Sequence, residues 1–114
     1  MITTRTEVMS AEFTKHHIEG LPFPCAFHHF TGTDKGGPHD HPWSFRSYIM
    51  QGGYIERVYQ PDGKFEDIKR EPGTSFNLPA EHIHEIIELP QGECWTLVIP
   101  GPLEREWKFW EFDK

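Results

Sequence analysis

The chain has 114 residues, of which 36% are hydrophobic and 14% aromatic, with 10 Gly, 10 Pro and a formal net charge of −7. This is one domain's length with enough apolar residues for a packed core, which argues against two independent cores and against a disordered tail. The sequence pI near 5.5 and the lack of a Lys/Arg cluster argue against nucleic acid as the main partner, and no stretch approaches the roughly 18 apolar residues that cross a bilayer.

In chain order, the opening MITTRTEVMSAEF lacks the basic, apolar and small-residue zones of a signal peptide, so a cytoplasmic protein is expected. Residues 1–24 read as an N-terminal arm or strand. Within them, residues 10–20 form a short helix or an irregular segment, since helical periodicity is absent. Turn residues then recur as Gly36-Gly37-Pro38, Gly52-Gly53, Pro61-Asp62-Gly63, Pro72-Gly73, Pro79, Pro90-Gln91-Gly92 and Pro100-Gly101-Pro102. Between them lie short runs rich in aromatic and β-branched residues, which predicts strands over 25–31, 43–50, 54–59, 64–70, 82–89, 94–99 and 106–112. Pro61-Asp62-Gly63 predicts a hairpin, because Pro presets φ and Gly accepts a positive one. Residues 25–114 are therefore read as one all-β barrel. Cys25 and Cys94 match no metal-thiolate spacing and are expected as free thiols.

The eight histidines cluster as His16-His17, His28-His29, His39-Asp40-His41 and His82-Ile83-His84. Residues two apart on a strand share a face, so His39 and His41, and likewise His82 and His84, can each point at one place. Neutral imidazole is the commonest protein ligand for borderline divalent metals, and two such pairs brought together could hold one ion. Surface or core histidines would carry the same spacing. Asp40 is expected to face away and orient a turn. Only one of His28 and His29 can face the interior, and His16 and His17 are expected to be solvated.

The punctuation around these pairs resembles the two motifs of the cupin superfamily. HDHPWSFRSYIMQGGY supplies His39, His41 and the terminal Gly52 or Gly53 of a first motif, with Phe45 or Arg46 where a Glu is usual. GTSFNLPAEHIH supplies Gly73, Pro79 and His84 of a second, with Glu81 in place of a Gly. A closer resemblance is to a group of small cupin-like bacterial and phage proteins sharing H-D-H-P-W, Gly-Gly-Tyr-x-Glu, W-T-L and R-x-W-x-F-W, over about residues 25–110. The resemblance implies a small jelly-roll barrel (a double-stranded β-helix) with His39, His41 and His84 as ligands to a divalent metal ion such as Fe, Zn, Mn or Ni.

The usual cupin Glu is absent, so the implied centre has three histidines unless Glu56 or His82 completes it. Glu56 is either a substitute ligand or the partner of Arg46 in a cross-strand ion pair. Arg46, if inward, needs Glu56 or an anionic substrate group; if outward, it is surface charge. His82 can be a ligand, a donor behind one, or a general base. Most of the aromatic residues are expected to fill the barrel. The terminal EWKFWEF is apolar on both strand faces and suggests a buried homodimer interface.

Three functions follow as expectations. The first is a metal-dependent enzyme acting on a small molecule, a dioxygenase or a Lewis-acid isomerase, lyase or hydrolase. The second is a metal-free sugar-nucleotide isomerase or epimerase that uses His39 and His41 as acid and base, and the third a non-catalytic binding module.

Overall fold

In the computed structural model, residues 1–33, 37–102, 106–107 and 109–110 are described. Nine strands follow in order: β1 Thr3–Ser10, β2 Phe13–Glu19, β3 Cys25–Phe30, β4 Phe45–Gln51, β5 Tyr54–Tyr59, β6 Phe65–Arg70, β7 Ser75–Leu78, β8 Ile83–Glu88 and β9 Cys94–Pro100. They build a six-stranded sheet, β1-β2-β3-β9-β4-β7, and a three-stranded sheet, β6-β5-β8. All pairings are antiparallel. The fold is the all-β jelly roll that the motifs imply. No helix among the described residues is long and apolar enough to cross a membrane.

The strands form where alternate residues can leave water. On β9, Cys94, Thr96 and Val98 are buried and the residues between them are not; on β5, Tyr54 and Glu56 are buried and Ile55 is not. Ile49, Tyr54, Ile86 and Cys94 pack into a core that Phe30, Phe76 and Leu89 flank. Both cysteines are buried and free, as expected.

The chain passes from the large sheet to the small one at Gly52-Gly53, where both residues have positive φ, 86° and 75°. A Cβ at Gly52 would overlap the Glu93 carbonyl oxygen, and one at Gly53 would lie 2.6 Å from that of Arg70. Only glycine fits this turn. The expected Pro61-Asp62-Gly63 hairpin joins β5 to β6, with Gly63 N–H donating to Gln60 O at 2.9 Å.

Two expectations need correction. Residues 10–20 are neither helix nor irregular arm but the turn and second strand of the β1–β2 hairpin. β7 was not expected; it pairs with β4 from Phe45↔Leu78 to Tyr48↔Ser75. The expected strand over 106–112 falls partly outside the described residues, as do Lys108, Glu111 and Phe112 of the proposed dimer face. Within the described part, Phe109 bridges His39, and Trp110 N–H donates to Pro38 O at 2.8 Å.

Candidate metal centre

His39 and His41 lie in the segment leading to β4, and backbone pairing brings them to the start of β8. His39 and His84 exchange both N–H···O bonds, each 3.0 Å, and His41 N–H donates to Ala80 O at 3.0 Å. Residues paired in this way project side chains to the same face. The ring centroids are accordingly 5.2 Å apart for His39–His41, 5.0 Å for His39–His84 and 4.9 Å for His41–His84. One ligand atom from each of the three lies within 4.8 Å of the others.

Protonation suits this set to a cation. His39 Nδ1–H donates to Gly37 O at 3.1 Å, which leaves Nε2 as the nitrogen available to a metal. Burial, with the neighbouring His84, His39 and His82 rings, pushes the His41 imidazole down to about 2, so it is neutral at ordinary pH. Burial likewise lowers His84, against the pull of Glu56. Nδ1 of His41 and Nδ1 of His84 are buried without a hydrogen-bond partner. A buried, unsatisfied nitrogen costs about 1–3 kcal/mol; His84 Nδ1 has the Glu56 carboxylate 3.5 Å away, and His41 Nδ1 is the one left incomplete. Three converging imidazoles, two of them held neutral, are a donor set for a borderline divalent ion, and the residues present fit one.

Glu56 stands behind His84. It is fully buried and accepts hydrogen bonds from His82 Nε2 at 2.8 Å and Arg70 Nε at 3.1 Å. Its Oε1 lies 3.5 Å from His84 Nδ1, within ion-pair reach but without hydrogen-bond geometry. Burial would raise the Glu56 carboxyl, but the hydrogen bonds from His82 and Arg70, with the adjacent His84 ring, win and hold it far below the usual carboxylate range. Burial and the Glu56 charge keep the neighbouring Tyr54 phenol protonated. Glu56, His82 and His84 also bring ligand atoms within 4.8 Å of one another. There, however, both carboxylate oxygens are already engaged.

A cavity of about 310 Å³ opens beside the three histidines. His39, His41 and His84 border it, whereas Glu56 and His82 do not. Phe13, Phe30, Trp43, Phe45, Ile86 and Val98 give it a mostly apolar wall. Such a concave, apolar space with a few convergent polar groups is the usual form of a small-molecule site.

Arg46 is not part of this arrangement. On β4, Phe45 and Ser47 face the cavity, so Arg46 faces the other way and donates to Tyr48 Oη, Asn77 Oδ1 and Ser75 Oγ. The expected Arg46–Glu56 pair is replaced by Arg70–Glu56. Of the adjacent histidines, His28 borders the cavity, while His29 stacks on Trp95 at 4.0 Å and pairs with Glu93. His16 and His17 are half-buried rather than solvated; His16 stacks on Trp95 and His17 binds Glu7 at 2.8 Å. Asp40 is buried and accepts the Trp110 indole N–H at 3.0 Å.

Sequence reasoning missed Lys15, which borders the cavity, and Arg70. The hairpin could have revealed Arg70. A turn at residues 61–63 sets Tyr54 opposite Arg70, and so places Arg70 diagonal to Glu56.

No family model matches the chain, and no curated protein does. Solved structures do. The capsular polysaccharide assembling protein CapF of Staphylococcus aureus superposes with a TM-score of 0.74 at 12% identity, over 96% of this chain and 33% of that one. Oxalate oxidase in complex with the substrate analogue glycolate gives 0.59 at 18%, over 75% and 45%. The FeII form of HppE gives 0.62 at 6%, over 88% and 56%. The chain spans about half the length of the last two and a third of the first. At these identities the likeness shows the fold, and that fold is the cupin fold.

Proposed function

We propose that the chain holds one divalent metal ion on His39, His41 and His84 and acts on a small molecule seated in the adjoining cavity. The observation that carries this is the convergence of one ligand nitrogen each from His39, His41 and His84, within 4.8 Å of one another, beside the cavity. A bound ion would supply Lewis acidity there, polarising a carbonyl or activating a water, or an open site for redox chemistry. This chain's residues then have distinct tasks. Gly37 O orients His39, and Glu56 steers His84 from behind while His82 and Arg70 hold Glu56 in turn. His82 and Glu56 are positioning residues in this account, because neither reaches the cavity. The apolar wall excludes water and orients the small molecule.

Oxidoreductase chemistry is the favoured class, since both oxalate oxidase and FeII HppE share the fold; an isomerase, lyase or hydrolase would use the same centre. The metal-free sugar-nucleotide isomerase and the non-catalytic binding module are outcomes of the same test. The test is native mass spectrometry with elemental analysis of the purified protein. About one ion per chain, lost in His39→Ala and His84→Ala, is expected. An untouched protein with far less metal, unable to take up added ferrous or zinc ion, overturns the proposal.

A further inference from the structure

Among the described residues, Lys15 is a cation placed in the cavity wall with no carboxylate within ion-pair distance. Lys15 alternates with Phe13 along β2 and pairs with His28 of β3, so all three side chains turn inward and border the cavity. Its Nζ stands 5.8 Å from the Phe13 ring centre and 5.7 Å from that of Trp43. Glu7 lies opposite Lys15 across the β1–β2 pair, but its carboxylate is engaged by His17 at 2.8 Å. Among the described residues no carboxylate oxygen comes within ion-pair distance of the Lys15 ammonium, although Glu12 also borders the cavity. Trp43 links this cation to the histidines, since its ring stacks on His41 with centroids 6.3 Å apart.

A half-buried ammonium against aromatic faces keeps its charge at a cost, and burial accordingly lowers the Lys15 pKa. A single ammonium set against aromatic faces matches one carboxylate, which it meets as a point charge. We propose that Lys15 is the specificity residue of the cavity and that it fixes the carboxylate of a small, otherwise apolar organic acid, whose other end lies toward His39, His41 and His84. This rests on the cavity being the ligand site, but not on a metal being bound there.

The test compares hexanoate with 1-hexanol, two probes of similar length and different charge. Binding is read by Trp fluorescence and calorimetry, on the protein as purified and again after chelator treatment. We expect hexanoate to bind at least about tenfold more tightly than 1-hexanol in both preparations. Lys15→Met should abolish the preference and Lys15→Arg should retain most of it, which separates loss of charge from loss of fold. The chelator-treated protein should keep the preference, so failure of the metal reading leaves this one standing. Equal binding of the two probes by the unaltered protein, an undiminished preference in Lys15→Met, or no binding of either probe overturns the proposal.

Discussion

His39 and His84 are joined by two reciprocal backbone hydrogen bonds of 3.0 Å, and this pairing sets their imidazoles 5.0 Å apart on one face. The two residues are 45 positions apart in sequence, so the centre exists only once the segment before β4 has docked on β8. Whatever loosens that docking scatters the ligands. The contacts behind the site are therefore the places where substitutions should tell.

Glu56→Gln removes the charge that faces Arg70 and His82 while keeping the shape. Arg70 is left as a mostly buried guanidinium without its counter-ion, and the expected loss is about 3–5 kcal/mol of stability. Zinc affinity should fall by about 10–100-fold, because His84 loses its orienting neighbour but remains in place. Urea titration and competition with a chelating dye measure the two effects. Unchanged stability would contradict the buried role given to Glu56.

Asp40→Ala leaves the Trp110 indole N–H without its acceptor, in a place where Asp40 itself is 1% exposed. A loss of about 1–3 kcal/mol is expected. The released Trp110 should also redden its fluorescence. A variant as stable as the parent, with unaltered emission, would show that this contact does not hold the C-terminal segment against residues 38–40.

His28 makes stability fall with acid. Burial, then the charges of Lys15 and His17, push its folded-state value down to about 3. An unfolded chain protonates this group near 6.5, so between pH 6.5 and 3 the unfolded state binds the extra proton. Stability is fully present above 6.5 and declines below it, by up to about 1.4 kcal/mol per pH unit from this group. His41 and His84 act in the same direction, so the comparison is with His28→Phe. Denaturation at pH 7 and pH 5 should show a shallower decline in the variant, and identical slopes would contradict a buried neutral His28.

Much of this was legible in the sequence, for physical reasons. β5 and β9 bury alternate residues, so their pattern survives in the chain; the His-x-His spacing likewise reports a shared face. β1 could be read only as an arm or strand because it buries neither face: all eight residues, Thr3–Ser10, are exposed, and nothing selects an alternating pattern. β7 is only four residues between Gly73 and Pro79 and reads as loop. Arg46 was left open between inward and outward because the phase of β4 could not be fixed from its sequence. Pairing with β7 turns Arg46 toward Asn77 and Ser75, and β7 itself had not been read. Lys15 was missed for a related reason, since without the β1–β2–β3 pairing nothing in FTKHHIE says which face looks inward.

The central claim, that His39, His41 and His84 hold the ion while Glu56 and His82 stand behind, is tested most directly by long-range ¹H–¹⁵N NMR of the imidazole rings during zinc titration. The account predicts that one ring nitrogen each of His39, His41 and His84 shifts to the metal-bound range at one equivalent of zinc. The rings of His28, His29 and His82 should remain as they were. Metal-bound shifts at His82 with none at His39 and His41 would move the ion to Glu56, His82 and His84 and contradict the account.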